Sequence, residues 1–187
     1  MPETDKFMLD RKHSILSIVD IQEKLAAVMS DRAVVTEATK KLIVAAKRLD
    51  IPMLVTEQYP AGLGLTETEL ADAMGDAYKP IEKLAFGCGG EPAYLDALAD
   101  TGKAQVLLCG METHVCVLQT CMQLLDNDYV VHVAADAVCS RRADDKTAAI
   151  ATMRQAGAVV TTVEAAVFQW LECAGTPEFK DLIKLFK

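Results

Sequence analysis

The sequence has no hydrophobic run long enough to span a membrane. Its apolar stretches, such as residues 104–109, are far shorter than the roughly 20 residues that a transmembrane helix needs, although hydrophobic residues make up 51% of the 187-residue chain. Residues 1–13 mix acids and bases and contain no apolar segment typical of a secretory signal. We therefore expect no membrane partner and a cytoplasmic location, with association with mitochondria left open.

Patterns of metal ligands and of disulfides are also missing. The six cysteines include no Cys-x-x-Cys pair, and the three histidines are scattered along the chain. Because structural zinc sites use closely spaced cysteines and histidines, we expect no metal and no other cofactor. In an intracellular chain of this size we expect the cysteines to be free thiols rather than a disulfide framework.

Positive charge and phosphate-binding motifs are scarce as well. Lys and Arg number 19 against 27 Asp and Glu, which gives a net charge of −8, and such a surface repels phosphate backbones. The sequence also contains neither a G-x-G-x-x-G motif nor a Walker A motif. We therefore expect no nucleic-acid partner.

Short apolar runs rich in β-branched residues alternate with longer segments of helical periodicity. The predicted strands are residues 14–19, 51–55, 104–109, 129–134 and 158–163, and the predicted helices are 31–49, 92–100, 114–125, 143–155, 164–171 and 179–186. Strands separated by helices predict βαβ crossovers and a parallel sheet. The nearly continuous apolar strands indicate a sheet covered by helices on both faces. The region 57–90 is predicted to be mostly loop, because it is rich in Gly, Pro and polar residues.

Reactive side chains follow the predicted strands. Asp20 follows the first strand, residues 57–59 follow the second, Lys83 lies in the loop region, and Cys116 follows the strand that ends at residue 109. Function in open parallel sheets lies at the carboxyl ends of the strands. We therefore expect an acid, an amine and a thiol to meet there. The alternatives that remain open are a turn or cap role for Asp20 and a solvated surface position for Lys83.

The position of Cys116 in its helix separates it from the core. Val117, Cys121 and Leu124 share an apolar stripe, whereas Cys116 lies on the other side with Thr120. Cys121 is therefore expected to be a small buried hydrophobe. Cys116 lies in the first helical turn, where free N–H groups favour the thiolate. An unreactive, partly exposed thiol fits the local sequence equally well.

The glycines that follow Lys83 are expected to let the backbone approach a ligand closely.

Three motifs together resemble the isochorismatase-like cysteine hydrolases. They are Val-Asp-Ile-Gln at 19–22, Glu-Lys-Leu-Ala-Phe at 82–86 and Gly-Met-Glu-Thr-His-Val-Cys-Val at 110–117. Two further stretches resemble the isochorismatase domain-containing protein subgroup: Thr-Glu-Gln-Tyr-Pro-Ala-Gly-Leu-Gly at 56–64 and Ala-Asp-Ala-Val-Cys-Ser-Arg at 135–141. The resemblance extends over about residues 14–164. It implies a three-layer α/β/α fold with a six-stranded parallel sheet, which we assign to residues 14–187 behind an N-terminal extension, residues 1–13.

The resemblance also implies the parts of a catalytic site. It implies a triad of Asp20, Lys83 and Cys116, and a non-proline cis peptide between Met111 and Glu112. The N–H groups of Glu112 and Cys116 would then form an oxyanion hole. We expect the pocket walls to include Gln22, Tyr59, Phe86, Thr113 and Arg141. Arg141 is a candidate for binding a substrate carboxylate.

The expected activity is cysteine-dependent hydrolysis of a small molecule. A thioester intermediate would form at an amide-like or ester-like C–N or C–O bond. The sequence leaves open whether that bond is an amide, a carbamoyl group or an ester, and it does not identify the physiological substrate or pathway. Relatives of this kind usually form homo-oligomers, so we expect one here, of unspecified size.

Differences between this sequence and those of related enzymes reduce the number of activities that we expect. Nicotinamidases of this fold carry an Asp-x-His metal motif where this chain has Thr-Glu-Gln-Tyr at 56–59, which counts against nicotinamidase activity. Several true isochorismatases lack a cysteine at the nucleophile position, so Cys116 favours acyl chemistry over vinyl-ether hydrolysis. The rival class is a non-catalytic scaffold or binding protein with the same fold. The presence of Asp20, Lys83 and Cys116 argues against that class.

Overall fold

Six parallel strands form the centre of the structure, a computed structural model that describes residues 5–187. The strand order is β3-β2-β1-β4-β5-β6. The strands are β1 Ser14–Val19, β2 Met53–Gln58, β3 Ile81–Lys83, β4 Gln105–Met111, β5 Val130–Cys139 and β6 Val159–Thr161. The predicted α/β class with a six-stranded parallel sheet is confirmed.

Helices cover both faces of this sheet. They are α1 Glu23–Ala26, α2 Arg32–Arg48, α3 Pro60–Leu63, α4 Thr68–Met74, α5 Pro92–Asp100, α6 Leu118–Asp126, α7 Ala143–Ala156, α8 Val163–Leu171 and α9 Pro177–Leu182. Buried residues of α2, α4 and α8 pack in one hydrophobic cluster, and buried residues of α5, α6 and α7 pack in a second. The predicted three layers are therefore confirmed. Within residues 5–187, no helix combines the length and the apolar character that a membrane crossing requires.

The two clusters explain why β1 is buried along its whole length. Leu16 and Ile18 belong to the cluster of α2 and α8, whereas Ile15 and Val19 belong to the cluster of α5 and α6. Successive side chains of a strand point to opposite faces. A strand with helices on both sides is therefore covered at every position, and all six residues of β1 are buried, including the serines Ser14 and Ser17.

The region predicted as loop contains more structure than its composition indicates. β2 continues to Gln58, and β3 pairs with residues 56–58 at the sheet edge. β3 has only three residues, of which Ile81 alone is apolar. Helix α4 also lies in this region and buries Leu70 and Met74. The polar residues of these elements were assigned to loop because their burial depends on partners in other strands.

The segment ahead of β1 packs on the domain. The backbone N–H of Leu9 donates to Gln169 Oε1 at 3.0 Å, and that of Asp10 donates to Gln105 Oε1 at 2.8 Å. His132 Nε2 lies 3.0 Å from the Lys6 carbonyl oxygen. Residues 6–10 of the assigned N-terminal extension are thus held by the core, and residues 1–4 lie outside the described residues.

The strand order places a reversal of connection between β1 and β4. The chain moves from β1 through β2 to β3 on one side and from β4 through β5 to β6 on the other. Ligands of open α/β sheets bind outside the carboxyl ends of the strands at such a reversal. Gly110 pairs with Val19 at this point, with a φ of 136°, and a Cβ on Gly110 would overlap the Val19 carbonyl oxygen. The two strands therefore approach closely beneath the expected site.

Candidate active site

Asp20 begins the site directly after β1. Its side chain is buried, and its backbone has a φ of 52°, a left-handed conformation that Asp tolerates better than most residues. Oδ1 accepts a hydrogen bond from Thr56 Oγ1 at 2.7 Å, and Oδ2 accepts one from Lys83 Nζ at 2.7 Å. Both carboxylate oxygens therefore have a partner, which fixes the plane of the carboxylate.

Lys83 ends β3 and points into the protein. Its side chain has no exposed surface, and its Nζ lies within hydrogen-bonding distance of four oxygens. These are Asp20 Oδ2 at 2.7 Å, Gln58 Oε1 at 2.7 Å, Phe86 O at 2.8 Å and Ala85 O at 3.2 Å. An ammonium has only three protons to donate. Lys83 is thus not a surface lysine, and its ammonium has no free proton for a substrate.

Cys116 lies in a π-helical turn, Thr113–Val117, that precedes α6. The residue is 5% exposed and belongs to the second hydrophobic cluster. Burial raises the pKa of the Cys116 thiol and the negative charge of Asp20 raises it further, whereas the charge of Lys83 lowers it. Burial and the Asp20 charge therefore favour the neutral thiol and oppose the helix-terminus effect, which favours a thiolate.

The side of the helix that carries Cys116 and Thr120 is covered by protein, although the sequence pattern predicts that it faces away from the core. Thr120, predicted to lie away from the core with Cys116, is fully buried. Its Oγ1 donates to the Cys116 carbonyl at 2.7 Å and accepts from the Cys88 backbone N–H at 2.9 Å. The glycine-rich segment 87–90 packs on the Gln123 side chain, which a Cβ on Gly87 or Gly89 would overlap. These glycines therefore leave room for the Gln123 side chain, whereas the sequence leads us to expect room for a ligand.

Glu112 connects the ends of β4 and β5. The Met111–Glu112 peptide bond is cis. The Glu112 carbonyl accepts hydrogen bonds from the backbone N–H groups of Val115 at 3.1 Å and Val117 at 3.2 Å. Its carboxylate Oε2 accepts from the Arg141 backbone N–H at 2.9 Å and from Arg141 Nε at 3.1 Å. The Nε edge of Arg141 is thus taken by Glu112, and its side chain remains 61% exposed.

Gln22 holds backbone at the edge of the site. It is fully buried, and its Nε2 donates to the carbonyls of Gln58 at 3.0 Å and Gly64 at 2.6 Å. Its Oε1 accepts from the Gln58 backbone N–H at 2.8 Å. The amide therefore has no N–H left for a substrate. Its contacts instead join the segment after Asp20 to the end of β2.

The other expected pocket residues differ in exposure. Tyr59 and Phe86 are 54% and 55% exposed. An open cavity of about 400 Å³ lies beside β3 and is lined by Tyr59, Pro60, Ala61, Glu82, Lys83, Leu84 and Glu91. Thr113 is fully buried, and its hydroxyl has no hydrogen-bond partner among the described residues. Of these three residues, only Tyr59 lines this cavity.

Three polar residues with a clear part in the site were not assigned one from the sequence. Thr56 binds Asp20, Gln58 binds Lys83, and Thr120 binds the Cys116 carbonyl. Thr56 and Gln58 lie two residues apart on β2, so they point to the same face. If the predicted second strand had been extended to residue 58, this alternation would have placed Thr56 and Gln58 together on one face of the sheet. Among residues 5–187, no group of three or more His, Cys, Asp or Glu side chains is placed to hold a metal ion.

A comparison with protein families matches the Isochorismatase domain model to residues 14–165. The chain is 40% identical over 177 residues to a secreted isochorismatase effector, Isc1, of Phytophthora sojae, covering 93% of this chain and 84% of that protein. It is 41% identical over 175 residues to isochorismatase domain-containing protein 2 of Bos taurus, covering 93% and 83%. A solved structure from Caenorhabditis elegans, described as MAR1 ribonuclease, superposes with a TM-score of 0.89 at 38% identity, covering 95% of this chain and 91% of that one.

Proposed function

The chain belongs to the isochorismatase family, and from this membership we propose that it is a hydrolase that cleaves a small amide-like or ester-like bond with Cys116 as nucleophile. The observation that carries the proposal is the buried pair of Asp20 and Lys83, whose charges both act on the Cys116 thiol. Burying an ion pair carries a desolvation penalty, and charged groups buried in this way cluster at functional sites. A buried pair beside a thiol at the carboxyl end of the sheet therefore supports a catalytic role.

Acylation of Cys116 begins from the neutral thiol. Asp20 accepts the thiol proton as the sulfur attacks the carbonyl carbon of the substrate, and the carbonyl electron pair moves to oxygen. The backbone N–H groups of Glu112 and Cys116 stabilise that oxyanion. When the tetrahedral intermediate collapses, the leaving group takes the proton from Asp20. The acyl group stays on sulfur as a thioester.

Hydrolysis of the thioester uses the same residues. Asp20 accepts a proton from water as the water oxygen attacks the thioester carbonyl, and the oxyanion forms again in the same hole. Collapse breaks the C–S bond, and the proton on Asp20 returns to sulfur. Lys83 keeps Asp20 oriented throughout, because its ammonium is held by Gln58 and by two backbone carbonyls.

Because the similar C. elegans structure is described as a ribonuclease, RNA cleavage is the rival activity that the experiment must distinguish. The net charge of −8 disfavours an RNA partner, and Lys83 has no proton to offer a phosphate. We therefore keep a small-molecule substrate in the proposal, with no nucleic-acid or membrane partner. We also propose a homo-oligomer, which light scattering after size-exclusion chromatography measures directly.

A hydrolysis screen with trapping of the intermediate tests the proposal. Small amides, carbamoyl compounds and esters are incubated with the protein, and the acylated peptide is identified by mass spectrometry. We expect acyl transfer to Cys116 and loss of turnover by at least about 10³-fold in Cys116→Ala. Cys173→Ala is the control, because Cys173 is exposed. Wild-type turnover in Cys116→Ala, or RNA cleavage that depends on Cys116 without any acyl transfer, would end the proposal.

A further inference from the structure

Arg141 binds the carboxylate of Glu112 through two different groups. Its backbone N–H and its side-chain Nε both donate to the same oxygen, Glu112 Oε2, at 2.9 and 3.1 Å. The Glu112 side chain is only 7% exposed, whereas that of Arg141 is 61% exposed. A nearly buried carboxylate is thus held from the solvent side by the loop between β5 and α7.

Glu112 is also held from the inside of the protein. Its carbonyl accepts hydrogen bonds from the Val115 and Val117 N–H groups, which belong to the π-helical turn that contains Cys116. The side chain and the carbonyl of Glu112 are therefore anchored in two separate elements. With both anchored, the direction of the Glu112 N–H is restricted as well.

We infer that Arg141 is a positioning residue of the oxyanion hole, which holds the Glu112 carboxylate so that the Glu112 N–H points at the oxygen of the reacting carbonyl. The inference rests on the proposed function, since an oxyanion forms only if Cys116 attacks a carbonyl group. It gives Arg141 a task that requires no substrate contact. Direct binding of a substrate carboxylate by the guanidinium becomes the competing outcome.

Two reagents that attack the same thiol separate this role from general structural support. With p-nitrophenyl acetate, the thiol proton passes to Asp20, an S–C bond forms, the carbonyl electron pair moves to oxygen, and p-nitrophenolate leaves when the intermediate collapses. With iodoacetamide, the thiol proton again passes to Asp20, the S–C bond forms at a methylene carbon as iodide leaves, and no oxyanion appears. A positioned N–H therefore accelerates the first reaction and has no part in the second.

The experiment compares Arg141→Gln with Arg142→Gln in the full chain. Arg142 is the neighbouring exposed arginine, which makes it a matched control. First-turnover acetylation of Cys116 is followed by p-nitrophenolate release and by peptide mass, and the exposed Cys173 serves as the internal reference. Loss of a whole oxyanion donor costs about 10²–10³ in rate. We expect Arg141→Gln to slow acetylation about tenfold, because the Arg141 backbone N–H stays on Glu112. Alkylation by iodoacetamide should stay within about twofold, and Arg142→Gln should change neither rate.

A third probe, mono-p-nitrophenyl succinate, carries a free carboxylate. We expect Arg141→Gln to slow its reaction by the same factor as that of the acetate ester. A loss confined to the succinate ester would overturn the inference in favour of substrate binding, and an equal loss of acetylation and alkylation would overturn it in favour of structural support. Unchanged acetylation in Arg141→Gln would overturn the inference alone. Wild-type protein that is never acetylated at Cys116 would overturn the proposed function, and the inference with it.

Discussion

The Lys83 ammonium lies 2.7 Å from the Asp20 carboxylate, and neither side chain has exposed surface. Each member has further partners: Thr56 on the acid, and Gln58 with two carbonyls on the amine. Removing two charges from water is compensated only when both are paired and fully hydrogen-bonded. The pair is thus an interdependent unit in which neither member tolerates the loss of the other.

Lys83→Met is expected to destabilise the protein strongly, because it leaves the Asp20 carboxylate buried without a cation. Breaking a buried pair in this way typically costs about 3–5 kcal/mol. Urea unfolding measures the change in the free energy of unfolding. Lys40→Met is the control, since Lys40 makes an exposed pair with Glu69 at 3.7 Å and should change stability little. The double variant Asp20→Asn/Lys83→Met should recover part of the loss, and no recovery would contradict the interdependence of the pair.

The charge of Asp20 leads to a less intuitive expectation for Cys116. Burial raises the pKa of the Cys116 thiol, the Asp20 charge raises it further, and the Lys83 charge lowers it. Asp20→Asn removes a raising effect and keeps the lowering one, so the pKa of the thiol should fall. Turnover should drop by about 10²–10⁴, because the general base is lost.

The pH dependence of Cys116 alkylation by iodoacetamide measures that fall. We expect the profile of Asp20→Asn to shift to lower pH than that of the wild type, while its turnover on any identified substrate decreases. Asp96→Asn, a change at an exposed carboxylate, should leave the profile in place. A shift to higher pH in Asp20→Asn would mean that Asp20 stabilises the thiolate, contrary to the neutral resting thiol.

The parts of the fold that sequence patterns predict are those in which burial sets the pattern. The predicted helix over residues 92–100 coincides with α5, and β1 has its predicted bounds, Ser14–Val19. Helix α5 buries Tyr94 and Leu98 at helical spacing, and β1 is a short, largely apolar run that is buried on both faces. β3 was not predicted, because an edge strand of three residues with one apolar side chain has no such period.

The polar side of the site was predicted less well for a related physical reason. Thr56 and Gln58 are buried, yet their sequence is typical of a loop, since their burial depends on Asp20 and Lys83. These contacts join residues 36 and 25 positions apart, and they follow from strand register rather than from local pattern. Thr120 was assigned to the uncovered side of its helix because no helical pattern reveals that segment 87–90 packs there.

His132 should make the stability of the protein depend on pH. Burial lowers the pKa of this imidazole from 6.5 to about 4 in the folded state. As pH falls below about 6.5, the unfolded chain therefore binds a proton before the folded one does, and stability decreases until the folded state also protonates near pH 4. The total loss is about 3 kcal/mol, from 1.36 kcal/mol for each pKa unit.

Thermal or urea unfolding between pH 7 and pH 4 checks this dependence by comparing variants. His132→Gln removes the titrating group, so its stability should fall less than that of the wild type over this range. The control is His13→Gln, because the His13 side chain is 63% exposed. Parallel curves for His132→Gln and the wild type would show that the acid loss has another source.

The close approach of β1 and β4 should make Gly110 far less tolerant of a side chain than Gly102, another glycine with positive φ. Gly110 and Gly102 both have positive φ, 136° and 62°. A Cβ at Gly102 meets nothing within 4 Å, whereas a Cβ at Gly110 overlaps the carbonyl of Val19. Gly102→Ala should therefore cost only the backbone conformation, about 1–2 kcal/mol. Gly110→Ala must also separate the strands, which adds at least about 1–3 kcal/mol.

Because Asp20 follows Val19 directly, Gly110→Ala should also slow acetylation of Cys116, while Gly102→Ala leaves that rate unchanged. Urea unfolding and the acetylation assay measure the two effects, and equal unfolding costs for both variants would contradict the proposed closeness of the strands.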